Sequence, residues 1–176
     1  MRPPLLLAAL LAPVLSAALP AASQELDFSP KATLDCMQKQ RLPGADDTCI
    51  GESARACFQK MKAPSVSDIA MCMQAESAYW KDRMDKAYNK MMVLAAEADA
   101  EFAKNPMSKK IKAKLTDDLE HQQKAWEDWR EIRCAVEAMM RRGTPYPMTA
   151  AANCTMKQIG QQAMFLESAI TYMESK

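Results

Sequence analysis

The sequence is poor in glycine and aromatics, with four glycines and 6% aromatic residues, and it has a single histidine. Apolar and polar residues nowhere alternate over a strand's length, and β-branched runs are few, which argues against a sheet-built domain. No Cys-x-x-Cys is present, so a thioredoxin-like redox site has no support. The sole His121 stands far from most of the cysteines, and their spacings fit no common zinc finger. Past residue 23 there is no stretch of about twenty apolar residues of the kind that spans a bilayer. Neither sign of charge is in excess: the 23 basic residues become 22 once Arg2 is removed, against 22 acidic ones. That balance disfavours nucleic-acid binding.

What is present suits helices. Apolar residues make up 49% of the 176, enough for one domain with a sizeable core, and methionine, a good helix former, occurs 15 times. Residues 1–23 read as a secretory leader: Arg2, an apolar run from Leu5 to Leu19 interrupted by Pro13, then small residues before a cleavage site after Ser23. Export gives the six cysteines their meaning, since an even count in an oxidising compartment reads as disulfides. The expected organisation is therefore a leader (1–23), a cysteine-containing extension with short helices (24–64) and a helical domain (65–176), located in the periplasm or secreted.

Ser29-Pro30 opens a short helix to about Arg41 that carries Cys36, and Leu42-Pro43-Gly44 ends it. A second short helix, 52–61, places Ala54, Cys57, Phe58 and Met61 on one side; Pro64 breaks it. Ser65 and Asp68 form a capping signature for a long helix to about Lys104. Its apolar stripe runs through Ile69, Cys72, Trp80, Met84, Tyr88, Met91 and Phe102, with Glu76 in its midst. After Asn105-Pro106, Ser108 can cap a second long helix reaching Arg141-Arg142-Gly143, a basic last turn followed by glycine. Its stripe is Leu115, Leu119, Gln122/Gln123, Trp126, Trp129/Arg130, Arg133 and Val136, so its two tryptophans are expected in the middle of the core. Past the Pro-rich segment 144–147, Thr149 is the expected cap of a third helix to about Met173.

The expected fold is all-α: an antiparallel bundle with a long helical hairpin, a C-terminal helix and short N-terminal helices, stapled by disulfides. Counting from Asn105-Pro106 sets Glu76 opposite Arg130 or Arg133, and Trp80 near Trp129. A carboxylate on an apolar stripe needs a partner, so a Glu76–arginine pair is expected. Chain order suggests Cys36–Cys49, Cys57–Cys72 and Cys134–Cys154, with Cys49–Cys72 an alternative; each such loop contributes on the order of 3 kcal/mol.

Cys72, Glu76, Trp80, Met84-Asp85 and Tyr88, followed by Leu119, Gln123, Trp126, Arg130 and Cys134, then Cys154 and Leu166-Glu167, resemble the LprI-like lysozyme-inhibitor domain family of exported bacterial proteins. The resemblance spans about 72–167, and Gln-x-x-Trp-x-x-x-Arg-x-x-x-Cys is its most specific run. The chain departs from the family at Met84-Asp85, at Glu131, near Ile159 and Gln161 in the last helix, and in having a Pro-rich rather than Gly-rich loop before the last cysteine. The resemblance implies lysozyme, or another envelope protein, as partner. Animal-type lysozymes are basic, and an acidic patch (Asp117, Asp118, Glu120, Glu127, Asp128, Glu131) faces that expectation, while Lys104, Lys109, Lys110, Lys112 and Lys114 at the hairpin tip oppose it.

His121 lies two residues past a core position and is expected to face water without a nucleophile beside it. Asp117-Asp118 and Glu127-Asp128 lack the cleft a glycosidase needs. The methionine pairs fit core stripes better than a copper(I) site. Asn153-Cys154-Thr155 matches a glycosylation acceptor but carries a cysteine expected in a disulfide. No catalytic residue, cofactor or metal is expected. The reading is a non-enzymatic envelope binding protein in which Glu76, Trp80, Tyr88, Leu119, Gln123, Trp126 and Arg130 are structural, and the loop 143–153 carries contacts. A small-molecule- or metal-binding periplasmic module is the second reading.

Overall fold

The structure, a computed structural model, describes residues 26–40 and 45–176; the expected leader and the Leu42-Pro43-Gly44 stop lie outside them. Five α-helices make up the described chain: α1 (Lys31–Lys39), α2 (Glu52–Gln59), α3 (Val66–Phe102), α4 (Leu115–Met139) and α5 (Pro147–Glu174), with short 3-10 turns at Ala45–Cys49 and Pro106–Lys109. Among the described residues there is no strand. The disulfides are Cys36–Cys49, Cys57–Cys72 and Cys134–Cys154. The first two tie α1 to the turn before α2 and α2 to α3; the third ties α4 to α5.

Helix α3 is the axis. Its first turn is closed by the expected capping box: the Ser65 hydroxyl accepts from the Asp68 N–H, and the Asp68 carboxylate accepts from the Ser65 N–H. It packs most extensively against α5, which runs in the same direction, as the pairs Arg83–Glu167 and Lys90–Glu174 show. Trp80, Met84, Ala87, Met91 and Ala95 meet Met156, Ile159, Ala163 and Leu166 in the main apolar cluster. Trp80 and Leu166 are fully enclosed.

Helix α4 is peripheral, and here the sequence expectation fails. Only Leu119, Gln123 and Cys134 of α4 are buried. Trp126 is half-buried; Trp129 is 47% exposed, and Leu115, Arg133 and Val136 on the same expected stripe are exposed too. The stripe was drawn too wide: α4 meets the α3–α5 pair along a narrow seam, and a cystine fixes one end of that seam in place of a broad apolar contact. Trp129 therefore lies nowhere near the centre, and Trp80 is flanked instead by Tyr79, edge-on at 5.4 Å, and by the Arg83 guanidinium at 4.7 Å.

Helix ends were also misplaced. α4 starts at Leu115, with Ser108 in the 3-10 turn before it, and its cap comes from across the hairpin: the Asp99 carboxylate accepts from the N–H groups of Leu115 (2.8 Å) and Thr116 (3.1 Å) and from the Thr116 hydroxyl (2.9 Å). α5 begins at Pro147, so the Thr149 hydroxyl donates to the Tyr146 carbonyl within the first turn rather than capping it.

The donors from Leu115 and Thr116 hold the Asp99 carboxyl below the usual carboxylate range. A carboxylate favoured by folding stabilises fully above its unfolded value, near pH 4, and loses that contribution as the pH falls through the lower folded value. Hydrogen exchange at Leu115 and Thr116 should accordingly speed up selectively below about pH 4, and in Asp99→Asn that extra acid dependence should vanish.

Candidate functional site

The family motif residues fall into two polar clusters. The first surrounds Glu76, which is buried as expected but meets no arginine. Its Oε1 accepts from the Thr33 hydroxyl (2.8 Å), the Gly51 N–H (2.8 Å) and Trp80 Nε1 (3.1 Å), and its Oε2 accepts from the Ala54 N–H (2.6 Å). The opening turn of α2, not α4, covers this level of α3. Unpaired backbone N–H groups at a helix start attract an anion, so the carboxylate is held by dipoles with no cation beside it. Gly51 makes that approach possible: its φ is +105°, and a Cβ there would sit 3.1 Å from Met156. Thr33 and Ser53 close the cluster, each hydroxyl accepting the other's backbone N–H at 3.0 Å. Next along the chain, Ile50 lies on Gly160 of α5, where a Cβ would come within 2.7 Å of it.

The second cluster joins α4 to α5. Gln162 donates to the Gln123 carbonyl oxygen at 3.0 Å, and Gln123 donates to Glu127 at 3.2 Å. The Arg130 guanidinium stacks over Trp126 at 5.0 Å. Tyr88 looks across at α4; burial and then the charges of Glu120 and Glu127 push its hydroxyl pKa up. Between the clusters lies a pair that sequence reading missed. Arg83 grips Glu167 with two parallel bonds, 2.9 and 2.6 Å, and also donates to Tyr79. Burial works against the Arg83 charge, but Glu167 and Tyr79 outweigh it and raise its pKa. The signal was available: Glu167 was among the motif residues, and an arginine one turn past Tyr79 shares its face.

Among the described residues no group of three or more His, Cys, Asp or Glu side chains is placed to hold a metal, and no buried side-chain polar atom lacks a partner. His121 is exposed. An open depression of about 500 Å³ beside α5 is lined by Asp47, Glu167 and Ser168, and Glu167 there is already engaged by Arg83.

What remains unpartnered is the outer face of α4. Opposite Cys134, at spacings of three and four residues, lie Trp129, Ile132 (68% exposed), Val136, Met139 and Met140 (67%). Arg133 stacks over Trp129 at 5.1 Å. Tyr146 and Met148 extend the exposed apolar surface past the turn at Gly143, while residues 147–153 of the expected 143–153 loop are helix. Apolar side chains concentrated on one outward helix face mark an interaction surface more often than chance exposure does.

The fold and the clusters define a cystine-stapled, all-α domain with a satisfied polar interior and one apolar outer face. The chain belongs to the LprI family: residues 57–166 match the family described as lysozyme inhibitor LprI. It is also similar, at 32% identity over 140 residues (78% of this chain and 83% of the relative), to an uncharacterized 17.7 kDa protein in the puhA 5′ region of Rhodobacter capsulatus. No solved structure matches.

Replacing the Glu76 carboxylate should be costly. Glu76→Gln keeps the shape but turns an NH₂ toward a donor, and should cost about 2 kcal/mol in chemical denaturation of the oxidised protein; Glu76→Ala, which orphans several donors, should cost about 3 kcal/mol or more. By contrast Ile132→Ser and Met140→Ser should shift stability by less than about 0.5 kcal/mol.

Proposed function

We propose that this protein is a non-enzymatic, extracytoplasmic inhibitor that binds a lysozyme-type enzyme through the outer face of α4. Membership of a family described as lysozyme inhibitor supports the choice of target class. The observation that carries the site is the apolar face from Trp129 to Met140, left bare on a helix that is otherwise covalently fastened to the bundle. Three disulfides and the leader-like first 23 residues support a location outside the cytosol. No helix among the described residues is long and apolar enough to cross a membrane.

The lysine-rich tip does not oppose this reading once distances are considered. From Lys114 to Ile132 the helix advances about 27 Å, well beyond the screening length of about 8–10 Å at moderate salt. Nearer the face, Asp128 is paired with Lys124, Glu131 lies 3.8 Å from Arg130, Arg133 lies over Trp129, and Arg141 is paired with Glu137. With the charges so balanced, affinity comes mainly from apolar burial.

Purified oxidised protein at micromolar concentration should slow lysis of a peptidoglycan substrate by lysozyme, with little loss at higher salt. Ile132→Asp together with Val136→Asp should abolish the inhibition without changing the thermal unfolding midpoint. Absence of inhibition by the unaltered protein would refute the reading of the target; full inhibition by the double variant would refute the site.

A further inference from the structure

The Lys90–Glu174 pair marks where α5 ends along α3. Beyond that level α3 continues to Phe102 for just over three turns, about 18 Å, with α4 beside it and the chain's last residues, Met173 and Lys176, sharing a shallow groove with Leu94, Glu97 and Glu101. The turn joining α3 to α4 thus lies past the end of α5, and the Asp99 cap on α4 braces it. This tip, residues 103–114, carries Lys104, Lys109, Lys110, Lys112 and Lys114 and no acidic residue. Lys104 is paired with Glu101, whereas Lys109, Lys110 and Lys112 form no ion pair among the described residues. Between the lysines, Met107 and Ile111 are each 48% exposed. The nearest carboxylates of α4, Asp117 and Asp118, are set back in its first turn, where they complement the helix dipole.

We propose that this tip docks the protein on an anionic phospholipid bilayer, the lysines meeting lipid phosphates and the Met107 and Ile111 side chains entering the headgroup layer. Clustered lysines alone would suit any polyanion. Two large apolar side chains exposed among them favour a surface that offers an apolar layer beneath its charges. Tip-first docking also keeps the α4 carboxylates off the membrane, and it directs the Trp129–Met140 face away from it, near the other end of the helix. The inference does not depend on what that face binds.

Co-sedimentation of the purified, oxidised protein with vesicles tests it. Vesicles with about one-third phosphatidylglycerol should bind the protein at least about tenfold more tightly than phosphatidylcholine vesicles, and binding should weaken strongly between low and high salt. Lys109→Glu, Lys110→Glu and Lys112→Glu combined should remove it. Ile111→Ser, which leaves the charge untouched, should reduce it several-fold, while all variants retain the circular dichroism melt of the unaltered protein. Equal binding to both vesicle types, survival of binding in the triple variant, or capture of soluble polyphosphate without any vesicle binding would each overturn the proposal. If Ile111→Ser has no effect, apolar insertion is ruled out and the bilayer assignment fails with it.

Discussion

The structure depends on one carboxylate held entirely by dipoles. Glu76 sits in the first third of the longest helix, fully buried, and every partner it has is a neutral donor: a hydroxyl, an indole N–H and two backbone N–H groups at the start of α2. A charge in such a place is tolerated only if its lone pairs are filled. Filling them requires α1, α2 and α3 to be in register, because Thr33 comes from α1, Gly51 and Ala54 from the opening turn of α2, and Glu76 and Trp80 from α3. Two disulfides hold the same register covalently. The N-terminal segment is therefore part of the interior of the long-helix domain. The family match beginning at Cys57, within α2, and the contact of Ile50 with Gly160 of α5 point the same way.

That arrangement frees α4. With α5 and the short helices covering α3, α4 has only a narrow seam to fill, and its attachment rests on the burial of Leu119 and Gln123, the Gln123–Gln162 bond and the Cys134–Cys154 cystine. A disulfide restricts the unfolded chain whatever surface the helix buries, so α4 does not have to spend its large apolar side chains on the core. They stand on its opposite face instead. Stability of attachment and exposure of apolar surface are compatible here because the fastening is covalent.

Much of this could be read from sequence, and the failures share one cause. Helix types, the capping box at Ser65 and the three cystine pairs follow from local chemistry and chain order, which do not depend on distant packing. Burial of Glu76 was legible too, from a carboxylate on an apolar stripe. Its partners were not, because hairpin counting knows only α3 and α4, while the covering element is α2, which reaches α3 through a bend at Pro64 whose angle the sequence does not state. The same blindness put Trp129 in the core. Periodicity says that α4 has apolar positions at helical spacing; it cannot say which of two opposed faces meets protein, and α4 has both. The cap from Asp99 was hidden for a related reason: capping rules read the residues just before a helix, and this cap arrives from sixteen residues upstream across the hairpin.

Net charge proves a poor guide to what such a chain can meet. The sum over residues 24–176 is near zero, yet the basic residues are gathered at the turn between α3 and α4, and the carboxylates of α4 begin only about one turn, 5.4 Å, behind it. A partner arriving at the tip responds to lysines, and one arriving near Ile132 responds to an apolar face with balanced charges around it. Because α4 is one continuous helix tied near its far end to α5, these two surfaces are held about 27 Å apart along it. A rigid separation of that size is what lets one small domain present two unlike surfaces without either screening the other, and it is the braced hairpin, through Asp99 at one end and Cys134–Cys154 toward the other, that maintains it.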